Sequence, residues 1–339
     1  DSGNALAFLA DAHAFVCSRL EDEVLWATSM PCVLAGGASI PIAQYGTSNA
    51  GLMKTVYRRG LGHRYGRVMQ VISGVHFNYS VADAFWPEFQ ELEQSAGEPR
   101  QLVDKYYLGM LRNLQRYGWL VPYLFGASPA VCKSFIGEQE TRLAEFNENT
   151  YFEPFATSLR MGDIGYTNSR EKGVGFKVCY DTLDSYIHSL SSAINTSCKE
   201  WERIGTQVNG LYEQLNTNIL QIENEHYSTV RPKQIAGSLQ KPTLALQKRG
   251  IRYVELRSID VNAFHPLGVS REQLLFLEAF MLFCLLQESP GISAEEQMVI
   301  DRNLELVAHR GRDDQIRLLH QGGAVRLRDW ASELCINML

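Results

Sequence analysis

Apolar residues recur with a helical period over 4–20, 101–118, 180–195, 270–287 and 293–309, and with a period of two near 70–80, 215–227 and 251–260. The first set predicts helices and the second half-buried strands. Their order is not a regular strand–helix repeat and there is no internal repeat. The pattern therefore points to one α+β domain over 1–339, with a mainly antiparallel sheet. Stretches rich in Gly, Ser, Pro or charge at 94–100, 137–150, 168–174 and 236–248 read as surface loops. The most apolar stretch, 274–286, is interrupted by Glu278 and falls short of the roughly 18 residues that span a bilayer, so it reads as a buried core helix.

Bulk composition narrows the function only by exclusion. Of 339 residues, 45% are hydrophobic and 21% charged, which rules out a disordered or fibrous chain. A net charge of -6 argues against general affinity for nucleic acid or an anionic membrane. The seven cysteines are odd in number, far apart and without a C-x-x-C pair, so no disulfide framework or zinc knuckle is expected. A reducing cytoplasm is the default, and Cys32 and Cys132 are expected to be buried structural thiols. The chain begins at Asp1 without Met, and 5–20 lacks a basic leader. It reads as the interior of a longer gene product, without a signal peptide.

The placement of charge says more. Residues 24–82 contain no Asp or Glu, where the chain average would put about seven. They do carry Lys54, Arg58, Arg59, Arg64 and Arg67. A second acid-free run, 226–254, holds Arg231, Lys233, Lys241, Lys248, Arg249 and Arg252. Two such segments suit the walls of a site for a small multiply charged anion; equally, they suit solvated faces paired with acids elsewhere.

Candidate chemistry concentrates on the alternating segments. A strand over 70–80 would put Gln70, Gly74, His76 and Asn78 on one face and apolar residues on the other, as in the floor of a cleft. Over 251–260, Val254 and Leu256 face one way, and Tyr253, Glu255 and Arg257 the other. Glu255 and Arg257 make either a simple ion pair or a carboxylate for a divalent cation beside a guanidinium for a phosphoryl group. Gln221, Glu223, Glu225 and Tyr227 would share another strand face, with the two carboxylates holding a metal or ribose or lying at a solvent-facing edge. No P-loop, Rossmann turn, H-E-x-x-H or G-x-S-x-G occurs.

Taken together, the blocks QYGTSN (44–49), SGVHFNYS (73–80), PYLFGASPA (122–130), TSLR...GYTN (157–168), LQIENEHY...RPK (220–233) and YVELRSIDVN (253–262) resemble the glutamate–cysteine ligases of the gamma-proteobacterial type. They keep the family order. The resemblance fades after 291, and Ala263 and His265 depart from it in a turn.

The resemblance implies a glutamine-synthetase-like α+β fold whose antiparallel sheet lines a funnel for ATP, Mg2+ (or Mn2+), L-glutamate and L-cysteine, with no protein partner. ATP would phosphorylate the glutamate side-chain carboxylate, and the cysteine amine would displace the phosphate; the alternatives are another ATP-dependent carboxylate-amine ligase of the same superfamily and a non-catalytic ligand-binding fragment. Carried over by residue, His76 and Glu255 would be metal ligands, and Arg257 would steady the transferring phosphoryl. Tyr57, Gln70, Asn78, Arg160 and Tyr166 would form the amino-acid pocket, and Asn224, Tyr227 and Arg231 would contact the nucleotide. The family's remaining metal carboxylates lie before the equivalent of Asp1. Residues 1–339, read as a single catalytic domain shortened at both ends, are therefore expected to be inactive alone.

Overall fold

The computed structural model of the chain describes residues 2–165 and 176–339. All five helices expected from periodicity form: Ser2–Cys17, Pro99–Tyr117, Leu183–Asn195, Arg271–Leu286 and Ala294–Arg310. The helix Arg271–Leu286 starts at a reciprocal cap in which the Ser270 hydroxyl accepts from Gln273 N and the Gln273 side chain accepts from Ser270 N. It buries Leu277, Phe280, Met281 and Cys284 completely. Asn113 on Pro99–Tyr117 donates to the carbonyls of Cys284 and Gln287, which stitches the two helices together. Among the described residues no helix is long and apolar enough to cross a membrane.

All strand pairings between named strands are antiparallel, and they lie in small sheets, so the architecture is α+β with helices dominant. The sheet that matters for function has three strands. Tyr253–Ile259 is central, flanked by Val75–Tyr79 and Val230–Lys233. One face (Phe77, Tyr79, Val230, Val254, Leu256 and Ile259) packs into the main core with Leu277 and Phe280. The other face is polar. A second, smaller apolar cluster gathers Met69, Ile72, Val131, Phe135 and Leu159, with Tyr65 and Tyr227 packed against it.

Three expectations are corrected. Gln70 lies in a 3-10 turn, Val68–Val71, so the strand begins only at Val75. Residues 223–225 form a 3-10 turn and not a strand. Glu225 is drawn inward there by Arg64 Nη1 at 2.9 Å, Tyr65 Oη at 3.0 Å and Gln221 N at 2.7 Å, while Glu223 accepts from Thr243 at 2.7 Å. Both carboxylates are buried and committed, so they form neither a solvent edge nor a metal pair. Third, the stretch 236–248 is not all loop, because Pro242–Arg249 is a helix that buries Thr243, Ala245 and Leu246. The expected loop at 168–174 lies outside the described residues.

The helix Asn49–Tyr65, absent from the periodicity reading, carries the basic residues of the first acid-free run against the site. Ser48 caps its start by accepting from Gly51 N. Midway, Gly60 admits Gln221 so closely that a Cβ would stand 2.2 Å from Gln221 Oε1.

Candidate functional site

The register of the central sheet sets out the polar face. Asn78, Glu255 and Arg231 stand opposite one another in a row, and Tyr253 stands opposite Lys233. Between Val75 and Phe77 the register shifts, so that Arg257 and Ser258 together oppose His76. An extra residue of this kind bends a strand and re-aims its side chains. Here Arg257 Nη1 comes to 3.4 Å from His76 Nδ1 and donates to Glu255 Oε2 at 3.1 Å.

Glu255 is enclosed by positive and donor groups: Lys233 Nζ at 3.7 Å, His76 Nδ1 at 3.5 Å and Arg257. Burial pushes its carboxyl up. The hydrogen bond from His76 and the charges of Lys233 and Arg257 outweigh burial and hold it at about 2. Burial also pushes the Lys233 ammonium down, against the pull of Glu255. His226 is pressed down to about 3 by burial and by the charges of Arg231 and Arg257. Its Nδ1, like Arg257 Nε, is buried without a hydrogen-bond partner among the described residues.

Beside this cluster opens a cavity of about 270 Å³ lined by Arg58, Gln70, Gly74, His76, Arg160 and Tyr227, together with Ile72 and Ser73. Four of the site residues expected from sequence therefore meet in one place: His76, Arg160 and Tyr227 from three separate blocks, and Gln70 from just before the first of them. Arg160 is almost fully buried. Its Nε donates to Asp260 at 2.7 Å, and Nη1 and Nη2 donate to the Arg257 carbonyl at 3.3 and 3.2 Å. Gln70 Nε2 donates to the Arg58 carbonyl at 3.1 Å, which ties the helix to the cavity wall. Tyr227 stands edge-on to Tyr65 at 6.1 Å.

The other expected residues lie apart from this lining. Asn78 is exposed further along the same sheet face. Tyr57 sits on the helix next to Arg58, and its carbonyl accepts from Gln221 Nε2 at 3.4 Å. Arg231 is buried and donates to the carbonyls of Asn224 and His226, so its guanidinium organises the 223–226 turn, on which the Asn224 side chain is exposed. Tyr166 lies outside the described residues.

Sequence reasoning missed Asp260. It is buried and accepts from Ala127 N at 2.9 Å, Ser128 Oγ at 2.6 Å, Ser158 Oγ at 3.0 Å and Arg160 Nε. Its signal was present in YVELRSIDVN, as an acid just beyond a buried strand. Cys32 and Cys132 were misjudged as well: Cys32 is exposed and Cys132 half-buried.

A divalent cation is a poor fit to these residues by themselves. His76 and Glu255 do meet, but no group of three or more His, Cys, Asp or Glu suited to a metal exists among the described residues. The one carboxylate is already engaged by Lys233 and Arg257. Mg2+ and Mn2+ favour near-octahedral oxygen shells, which one imidazole and one carboxylate cannot supply.

What the geometry defines is a cleft lined by Arg58, Arg160 and His76 beside an antiparallel sheet. The chain belongs to the glutamate–cysteine ligase family, whose model matches residues 1–307. The match thus runs past 291, where the recognisable blocks fade. The glutamate–cysteine ligase of Alcanivorax borkumensis is 45% identical over 338 residues, covering 98% of this chain and 64% of the relative. A crystal structure of the Francisella tularensis glutamate–cysteine ligase in complex with AMP superposes with a TM-score of 0.91 at 35% identity, over 99% of this chain and 66% of that one. A bifunctional glutathione synthetase from Pasteurella multocida shares the fold, with a TM-score of 0.73 at 22% identity over 100% of this chain and 37% of that one. The chain spans about 64% of the length of the Alcanivorax relative.

Proposed function

We propose that this chain carries the phosphoryl- and glutamate-handling part of an ATP-dependent ligation that joins the side-chain carboxylate of L-glutamate to the amine of L-cysteine, the first step of glutathione synthesis. In this reading the glutamate carboxylate takes the γ-phosphoryl of ATP and releases ADP. The cysteine amine then attacks the acyl phosphate, inorganic phosphate leaves, and the amine proton passes to solvent. The single observation that supports it is the meeting of Arg58, Gln70, His76, Arg160 and Tyr227 in one cavity beside the Glu255–Arg257 pair.

Arg257 serves the transferring phosphoryl: its Nε is without a partner among the described residues, and a planar guanidinium matches phosphate oxygens as they gain charge. Arg160, rigidly held by Asp260, receives a substrate carboxylate. Gln70 lines the same cavity; Tyr57, Asn78 and Tyr166 are assigned to the amino-acid pocket, and Asn224, Tyr227 and Arg231 to the nucleotide, from the family resemblance. The Mg2+ or Mn2+ of such a reaction would need oxygen donors beyond His76 and Glu255. The free thiols among the described residues suit a reducing cytoplasm.

The test is an ADP-release assay coupled to detection of γ-glutamylcysteine, run on residues 1–339 and on the longest natural polypeptide that contains them. The expected result is ADP release that requires both amino acids in the longer polypeptide, and background release from residues 1–339. ADP release independent of cysteine, or background in both, overturns the reading. Robust synthesis by residues 1–339 would show that the metal donors come from within.

A further inference from the structure

A second cavity, of about 300 Å³, is lined in part by Ser128, whose hydroxyl donates to Asp260 at 2.6 Å. Trp26, Met30 and Pro129 give it apolar walls, Ser128 adjoins the Arg160 pocket, and both Cys32 and Cys132 open onto it. These two thiols are 100 positions apart in sequence, yet they line one cavity, close enough that each bears on the other's ionisation. The loop that brings them together is latched: Leu34 N donates to Ser134 Oγ at 2.9 Å, and Ser134 Oγ donates to Cys132 Sγ at 3.2 Å. Val33, between the two latches, has φ of 52°, a left-handed conformation that β-branched residues avoid. The Val33 N–H acts on both thiols, favouring their thiolate forms. Strain of this kind is retained where the surroundings enforce it, and here it gathers donors onto a pair of thiols facing a cavity.

We propose that Cys32 and Cys132 form a reversible dithiol–disulfide site whose reaction partner is a low-molecular-weight disulfide bound in this cavity. Cys132 is the attacking sulfur. Burial pushes its thiol up, but the hydrogen bonds from Ser134, the Val33 and Ser134 N–H groups and Cys32 bring it down to about 7. The Cys132 thiolate attacks one sulfur of the incoming disulfide, a mixed disulfide forms, and the first small thiolate leaves and is protonated. Cys32 then gives up its proton to solvent and attacks the Cys132 sulfur. The protein disulfide forms and the second small thiolate departs. Two protein thiols are oxidised, and one small disulfide is reduced to two thiols.

Peptide mapping of the folded chain tests this directly, because Cys32 and Cys132 fall in tryptic peptides 20–54 and 117–133, each with a single cysteine. The reduced protein is exposed to 2-hydroxyethyl disulfide at pH 7, quenched with iodoacetamide and digested without reductant. The expected product is a 20–54/117–133 cross-link, lighter than its two peptides by two hydrogens and reversed by dithiothreitol. Cys32→Ser should arrest the reaction as a mixed disulfide on 117–133, whereas Cys132→Ser should leave 20–54 almost unmodified over the same time. The rate of mixed-disulfide formation should fall about fiftyfold from pH 7 to pH 5, following the Cys132 thiolate. The proposal fails if the cross-link is absent from the wild-type map, if Cys17 on peptide 1–19 is consumed first, or if cross-links form without preference among the seven cysteines.

Discussion

Two arginines, Arg64 within the first acid-free segment and Arg257 just beyond the second, each meet a glutamate, and the difference between the two pairs separates framework from site. Arg64 and Glu225 are wholly buried, and the guanidinium is saturated: Nε and Nη2 donate to Gln214 Oε1, Nη1 to Glu225 and the Ile219 carbonyl, and Nη2 to the Asn216 carbonyl. Arg257 and Glu255 sit at the rim of a cavity. The Arg257 Nε is unmatched among the described residues, and Glu255 is shared between three partners. A saturated buried pair has nothing left to offer a ligand, whereas a pair with an unmatched donor beside an opening does.

The largest effect is expected at the framework pair. Arg64→Ala or Glu225→Ala leaves a buried charge without its partner, which costs about 3–5 kcal/mol. Arg257→Ala should stay within about 1 kcal/mol of wild type, since Lys233 and His76 still face Glu255. Urea denaturation midpoints measure both, and equal losses would erase the distinction between the two pairs.

Ligand binding should reverse that order. Arg257→Ala is expected to weaken inorganic phosphate binding about tenfold, or roughly 1.4 kcal/mol, in isothermal titration of the folded chain. In a turnover assay of the longer polypeptide, Arg257→Lys should lower kcat far more than it changes KM, because a point charge cannot reproduce a planar fork. A kcat within about threefold of the parent removes the role given to Arg257.

How much of this could be read beforehand follows from the same contrast. The strand Tyr253–Ile259 and the placement of His76, Glu255 and Arg257 on the polar face of its sheet were legible, because alternation holds from Tyr253 to Arg257 and fixes the face there, the register shift coming only past Leu256. The 221–227 segment alternates too, yet it folds as a turn because Arg64, 161 positions away, draws Glu225 inward, a long-range partner that no local pattern reveals. The helix Asn49–Tyr65 was hidden for a related reason: its buried positions are Gly51, Thr55, Gly60, Leu61 and Arg64, a face of close approaches rather than an apolar stripe. Arg58 was legible only as one of five basic residues in the acid-free run 24–82, without the helix that brings it to the cavity. Asp260 escaped because a buried acid makes sense only once its four donors are assembled around it.

A smaller signal is expected in the acid limb of stability. Glu255 titrates at about 2 in the folded chain against an ordinary value of 4.5. A depressed folded value means that its contribution is fully present above about 4.5 and is lost as the pH falls through about 2. Stability should therefore decline across that window in the wild type and decline less in Glu255→Gln. Denaturant midpoints taken at steps from pH 5 to pH 2 compare the two, and parallel curves would mean that Glu255 is not held by its three neighbours.

The smallest effect tests whether the site depends on close packing beneath it as well as on its charges. Gly74 lies under Arg160: a Cβ there would stand 2.8 Å from both Cζ and Nη1 of Arg160 and 3.0 Å from the Ile259 carbonyl oxygen. The guanidinium can shift, but it is held by Asp260 and the Arg257 carbonyl, and the Ile259 oxygen belongs to the central strand. Gly74→Ala should therefore displace Arg160 slightly, weakening phosphate binding about threefold, or roughly 0.7 kcal/mol, and lowering stability by about 1 kcal/mol. Gly97→Ala is the control, because its nearest neighbour would be 3.9 Å away. If the two variants bind phosphate equally well, Arg160 does not need its present position to receive an anion, and the cavity's selectivity must come from Arg58 and His76, which also line it.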